Sequence, residues 1–159
     1  ASSASAQTNP VPTGKSGVLS IQPISAMLTV YSGEGELAIN RSVTLGVGAT
    51  YWDAGSLGAD NASYLSGDFK VRYYPEAHAL QGFSFGGSVG LTRVSESDTL
   101  SQTSPSIGVL LEYSWLLGAS RSFYVAAGLG AKAVFVNTDD FEDITARYPT
   151  ARLSVGFAF

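Results

Sequence analysis

Few side chains of this sequence could act in nucleophilic or acid–base chemistry. His78 is the single histidine, within PEAHALQ and close to Glu76, and the chain has no cysteine. A serine nucleophile needs an imidazole within hydrogen-bond reach, and the sequence places no serine in an obvious position beside His78. Without cysteine there is no thiol nucleophile, disulfide or thiolate metal site. We therefore expect His78 to be a surface turn residue and the protein to be no enzyme, with no cofactor and no metal.

Motifs built on glycine do not change this expectation. GGSVG and GLGAK lie inside segments that alternate apolar and small residues. A nucleophile elbow or a phosphate-binding loop has to connect a strand to the start of a helix. Both stretches are therefore expected to be parts of strands.

Charged residues at alternate positions of apolar segments are the second candidate for chemistry. Four are acidic and four are basic: Glu34, Glu36, Asp68, Lys70, Arg72, Glu112, Lys132 and Arg152. Two facing carboxylates could act as general acid and base. Ion pairs between strands explain the same residues, because a buried charge persists only when it is paired and hydrogen-bonded. We expect a balanced ionic plug, and the alternative is a scattered, partly hydrated set of charges.

These charges need strands to position them, and the sequence indicates strands through a period of two. In the final segment, RLSVGFAF, Phe159, Phe157 and Val155 share one face and small or charged residues share the other, as successive side chains of a strand do. The same alternation recurs at 42–52, 62–74, 83–94, 106–117 and 123–136.

Residues 17–40 are too long for one strand, and parity helps to divide them. Single-chain bacterial barrels have an even number of strands, and six alternating segments follow Asn40. Pro23 cannot donate to a ladder. We therefore expect Pro23 to form the turn between a strand near Val18 to Gln22 and another near Met27 to Ile39.

Glycines decide which face of the sheet points inward. The polar faces carry Gly46, Gly48, Gly86, Gly90, Gly108, Gly128, Gly130 and Gly156. An eight-stranded barrel is only just wide enough for side chains to fill it, so crowding favours glycine there, whereas glycine in a water-facing strand only weakens the strand. The bulky face therefore points outward, to lipid. We predict an all-β fold, a closed antiparallel up-and-down transmembrane barrel of about eight strands at 17–159, behind a flexible leader at 1–16.

Composition is consistent with a chain that meets a bilayer through strands. Charged residues make up 14% of the sequence, against about a quarter in soluble domains. No run approaches the roughly 18 apolar residues of a membrane helix, so any crossing has to be made by strands. The net charge of −4 excludes a nucleic-acid partner from our expectations, because phosphate binding needs clustered Lys and Arg. In the leader, Ala4-Ser5-Ala6 has the small-x-small form of a signal-peptidase site.

Connections alternate between short turns and longer polar loops such as 95–104, the pattern of periplasmic turns and external loops. Acidic residues collect in the longer loops, and one loop carries Asp139, Asp140, Glu142 and Asp143. They could hold divalent cations beside lipopolysaccharide, or simply be solvated. The stretch DDFED lacks the ligand spacing of an EF-hand.

Several stretches together resemble small eight-stranded outer-membrane proteins, the broad superfamily of the OmpA transmembrane domain, OmpW and opacity-type barrels. They are SGEGELAIN leading into SVTLGVGATYW, then KVRYYP, GFSFGGSVGLTRV, LEYSWLLG, FYVAAGLGAKAVF and the terminal RLSVGFAF. The resemblance implies residence in a bacterial outer membrane, contact with its lipid and lipopolysaccharide, and recognition of Phe159, Phe157 and Val155 by the barrel-assembly machinery. It implies no single activity, because such barrels serve many functions.

Three functions remain open at this point. The first is a barrel with a plugged lumen that acts as a structural or surface-interaction protein through its acidic outer loops. The second is a conduit for small apolar solutes that leave laterally, with an apolar pocket near Trp52, Tyr64 and Val94. The third is a soluble calycin-like ligand-binding barrel, which would require the bulky face to turn inward.

Overall fold

The computed structural model describes residues 14–53, 62–96, 100–136 and 144–159. Eight antiparallel strands form a closed barrel in which each strand pairs with the next along the chain and the last pairs with the first. They are β1 (Gly17–Ile21), β2 (Val30–Ala38), β3 (Val43–Asp53), β4 (Ala62–Tyr73), β5 (Gly82–Glu96), β6 (Leu100–Leu117), β7 (Phe123–Val136) and β8 (Ile144–Ala158). The predicted fold class and strand number are confirmed. No helix among the described residues is long and apolar enough to cross a membrane.

The strands are strongly staggered around the barrel. Through β1, Glu34 is in register with Gly156 of β8. Through β3 to β7, the same residue is in register with Ala146 of β8, ten residues away. A stagger of this kind accompanies strand tilt and fixes the width of the barrel. It also decides which lumen residues meet across the interior.

Side chains alternate between the two faces as the period of two predicts. Outward positions carry large exposed apolar residues, among them Leu19, Val47, Phe69, Val89, Val109, Leu129 and Phe157. Inward positions carry small, polar and charged residues. At Gly86, an added Cβ would lie 2.7 Å from the Val71 carbonyl oxygen, and at Gly128 an added Cβ would lie 2.8 Å from the Leu111 carbonyl oxygen. Steric crowding therefore accounts for glycine at these lumen positions.

The connection between the first two strands differs from the predicted turn. A five-residue helix, α1 (Pro23–Met27), follows β1, and β2 begins only at Val30. Proline suits this place, because the first turn of a helix needs no backbone N–H from it. Thr29 has a φ of 62°, which separates the helix from the following strand. The expected second strand near Met27 to Ile39 is thus shorter at its start.

The expected loop at 95–104 is also wrong in its extent. β5 runs to Glu96 and β6 starts at Leu100, with Thr92 opposite Ser104 and Val94 opposite Gln102. The ladder continues through these polar residues because polarity alone does not interrupt backbone pairing.

The end of the barrel that holds Ser16 and Phe159 is filled by apolar side chains. The turn between β4 and β5 folds inward, so that Leu80 is fully buried and its carbonyl accepts a hydrogen bond from Ser114 Oγ at 3.2 Å. Leu80 packs in a cluster with Val18, Leu116, Tyr124, Ala126 and Ala158. We call this the closed end, and the opposite end, where α1 lies, the open end.

Candidate functional site in the barrel lumen

Arg72 of β4 lies at the centre of a buried charge network. Its guanidinium forms ion pairs with Glu34 and Glu36 of β2. Arg72 Nε also lies 3.7 Å from Glu112 Oε1 of β6. All four side chains are buried, so each charge depends on its neighbours for stabilisation that water would otherwise supply.

Two further cations complete this network. Arg152 of β8 places Nη1 3.0 Å from Glu34 Oε2 and Nε 3.1 Å from Glu112 Oε2. Lys70 of β4 forms an ion pair with Glu34. Four alternate strands, β2, β4, β6 and β8, are therefore joined across the lumen.

A separate pair lies nearer the open end. Lys132 Nζ is 2.8 Å from Asp68 Oδ1 and 2.9 Å from Ser66 Oγ. All eight charged residues that the sequence singles out thus point into the lumen, and every one has an oppositely charged partner.

Hydroxyl groups that were not among the predicted site residues donate hydrogen bonds to the carboxylates of the network. Tyr74 OH donates to Glu36 Oε1 at 3.1 Å, and Tyr124 OH donates to Glu112 Oε1 at 3.2 Å. Thr44 also donates to Glu36. Alternation along each strand could have placed these hydroxyl groups on the lumen face. It could not have shown which carboxylate each one meets, because that depends on the stagger of the strands.

Above the network, towards the open end, the lumen widens into a cavity of about 700 Å³. Trp52, Tyr64 and Val94, the residues expected around an apolar pocket, all line it. Its charged lining consists of Asp68, Lys70, Arg72, Lys132 and Arg152. The carboxylates of the Arg72 network, Glu34, Glu36 and Glu112, do not belong to this lining.

The C-terminal residues close the barrel against β1. Phe159 N donates to the Gly17 carbonyl at 2.9 Å, and the Phe159 carbonyl accepts from Ser16 N and Gly17 N. Phe157 is exposed on the outer face and Val155 is half-buried. The C-terminal strand is therefore the seam at which the sheet closes on itself.

Other expectations fall on the surface or outside the described residues. His78 is exposed in the inward-folded turn. Asp139, Asp140, Glu142 and Asp143 lie outside the described residues, as does Ala4-Ser5-Ala6. Within the described part of the chain, no group of three or more His, Cys, Asp or Glu side chains could hold a metal ion.

Comparisons with known proteins bear on the fold. No protein-family model matches the chain, and no curated protein matches its sequence. Among solved structures, the crystal structure of the N-terminal β-barrel domain of Pseudomonas aeruginosa OprF is similar, with a TM-score of 0.51 and 17% sequence identity. The similarity covers 91% of this chain and 98% of the OprF domain.

The chain has the fold of the OprF barrel. This chain forms a closed antiparallel barrel of eight strands, so the fold expected from the sequence resemblance is confirmed. At this level of identity the comparison shows architecture alone. Together with the exposed apolar outer face, the fold fits an outer-membrane barrel.

Proposed function

We propose that this protein is an integral outer-membrane barrel whose lumen is plugged, with a structural or surface-interaction role carried by its outer loops. The observation that carries the plug is the network centred on Arg72, which joins β2, β4, β6 and β8 at buried positions. Beneath it, Leu80 and its apolar neighbours fill the closed end. The charge network and the apolar cluster are thus two successive barriers between the cavity and the outside of the barrel at the closed end.

The exterior supports placement in lipid. Its large side chains are apolar and exposed, and a water-facing surface of this kind would drive association. The proposed partners are outer-membrane lipid and lipopolysaccharide, with the assembly machinery acting on Phe159, Phe157 and Val155. No catalytic step is part of the proposal.

The plug is tested by ion conductance in planar bilayers. The protein with its unchanged sequence should give no steady ion current after insertion. The Arg72→Ala/Leu80→Ala double variant, which removes a residue from each barrier, should give a measurable current. Persistent current through the native barrel would overturn the plug. Insertion of each sample is checked independently by protection of the strands from added protease.

A second candidate is a conduit for small apolar solutes, favoured by the cavity that Trp52, Tyr64 and Val94 line. The network blocks a straight path through the barrel, so a solute that enters from the open end has to leave sideways. Uptake of a small apolar dye into the membrane of vesicles containing the barrel, compared with vesicles lacking it, tests this function. Equal uptake by both would argue against a conduit.

A further inference from the structure

The barrel wall is incomplete towards the open end, between β8 and β2. β1 pairs with β8 only from Val18 opposite Ala158 to Ile21 opposite Val155. The chain then leaves the wall to form α1, while β8 continues to Ile144 paired with β7 alone. Within the described residues, one edge of β8 from 144 to 154 therefore has no neighbouring strand.

The chemistry of this edge suits a strand that stays unpaired. In an antiparallel ladder, alternate residues direct both backbone groups to the same neighbour. Phe159 directs its N–H and carbonyl to β1, so the odd-numbered residues of β8 face that side. Pro149 is one of them and has no N–H to offer. Proline on a free edge prevents a further strand from pairing there.

Helix α1 lies beside this gap without filling it tightly. It contacts β2 and β8, yet none of its residues is buried. Ile24 and Met27 are 53% and 85% exposed. Its backbone hydrogen bonds from Ala26, Leu28 and Thr29 all stay within residues 22–29. These three N–H groups therefore make no backbone hydrogen bond to β2 or β8.

The cavity reaches the gap from inside. Gln22 and Ser25 line it on the α1 side, and Tyr148, Pro149 and Ala151 line it on the β8 side. Residues from both sides of the gap therefore belong to the lining of the same cavity. A lateral path from the cavity to the outer surface would run through this gap.

Charged and apolar residues line different parts of the cavity. Four cations and one carboxylate contribute to its lining, although the lumen network as a whole is neutral, because Glu34, Glu36 and Glu112 do not belong to the lining. The side chains of Lys70 and Lys132 remain 18% and 14% exposed. Nearer the open end the walls include Val94, Val134 and Ala146. The volume of about 700 Å³ lies within the usual range for small-molecule sites, about 300–1,000 Å³.

We propose that this cavity binds a single-chain anionic amphiphile, with its head group at Lys70 and Lys132 and its alkyl chain passing between α1 and β8 into the membrane. The inference rests on the proposed membrane location and deepens the conduit candidate. A carboxylate and a phosphate head group share the required chemistry.

The binding test uses Trp52 as a reporter. Trp115 lies on the exposed outer face, so Trp115→Phe leaves Trp52 as the only tryptophan. The purified barrel in a nonionic detergent is titrated with three brominated probes with the same twelve-carbon chain, ending in carboxylate, phosphate or trimethylammonium. Saturable quenching by one or both anions, and much weaker quenching by the cation, is expected. Equal quenching by all three probes would overturn the proposal.

The lysines are tested in the same background. Lys132→Gln should weaken binding of the anionic probes by about tenfold, the ratio expected for a lost charge-assisted hydrogen bond. Lys15→Gln is the matched control, because Lys15 bonds to Ser122 at the closed end. Unchanged affinity in Lys132→Gln would contradict the head-group position. Each variant is first checked for heat-dependent gel mobility, so that loss of the barrel, which would count against the proposed function, is distinguished from loss of binding alone.

The lateral path is tested by closing it. Because the chain has no cysteine, Ser25→Cys and Ala151→Cys, on the two sides of the gap, are treated with a bifunctional thiol reagent, and the joined product is purified. The joined protein in vesicles should bind membrane-dissolved probe at least about tenfold more slowly than the same variant blocked with a monofunctional reagent. An unchanged rate would show that probes reach the cavity through the open end instead.

Discussion

Arg152 and Glu34 form an ion pair, with Nη1 and Oε2 3.0 Å apart, that links the last strand directly to the second. β1 lies between these strands in the wall but ends at Ile21. The pair thus links β2 and β8 close to the point where β1 ends. An inward-facing charge pair supplies a connection there that backbone pairing does not.

Removal of Arg72 is expected to be the most damaging single change in the lumen. Arg72→Met leaves Glu34, Glu36 and Glu112 without their shared cation. Breaking a buried ion pair from one side costs about 3–5 kcal/mol. Urea unfolding in lipid vesicles measures the loss, with exposed Arg121→Met as the control. Equal free energies of unfolding for the two variants would contradict the stabilisation of three carboxylates by Arg72.

Glu112 and Lys132 should differ in sensitivity although both are paired. The side chain of Glu112 is 1% exposed and has Arg72, Arg152 and Tyr124 as partners, whereas Lys132 borders the cavity. Water can replace a partner only at the cavity. Glu112→Leu should therefore lower the free energy of unfolding more than Lys132→Met. The opposite order, measured in the same urea titration, would contradict the buried and cavity-lining positions.

Lumen glycines are expected to be sterically required. In Gly86→Ala the new Cβ would lie 2.7 Å from the Val71 carbonyl oxygen and 2.9 Å from Arg72 Cγ, and overpacking of this kind costs about 1–3 kcal/mol. Gly67→Ala is the matched control, because it lies on the outer face with no atom within 4 Å of the new Cβ. Thermal unfolding followed by gel mobility compares them. Similar midpoints would count against lumen crowding.

Leu80 should contribute stability at the closed end. It is fully buried, with a φ of 70°, a conformation that packing has to maintain. Leu80→Ala removes the buried side chain while leaving Cβ, at an expected cost of about 2–5 kcal/mol. Equilibrium unfolding of this variant is compared with Leu117→Ala, which truncates an exposed leucine. A smaller loss for Leu80→Ala than for this control would refute the inward fold of the turn.

The sequence predicted strands and their faces because alternation needs only local information. Val47 and Phe69, for example, each lie on the bulky face of their own segment, and both are exposed in the structure. The partners of each charge were beyond the sequence, because Glu34 meets Arg152 only through the stagger of the whole barrel. Helix α1 was missed for a different reason: five residues are too few to show a helical period.

Tyr74 and Tyr124 show the same limit. Both lie in alternating segments, 62–74 and 123–136, at positions that share the lumen face, but their hydrogen bonds to Glu36 and Glu112 depend on contacts across the barrel. The end of β1 was predicted to within one residue, but the start of β2 at Val30 was not, since Pro23 indicated a turn without indicating the short helix that follows it.

Contact between the bulky face of the closed barrel and outer-membrane lipid is tested most directly by one gel. Outer-membrane fractions extracted in mild detergent are run unboiled and boiled on a denaturing gel. We predict that the protein is found in these fractions and changes mobility on heating, because the closed sheet resists the detergent until it is unfolded. Recovery in the soluble fraction with no change in mobility would contradict the account.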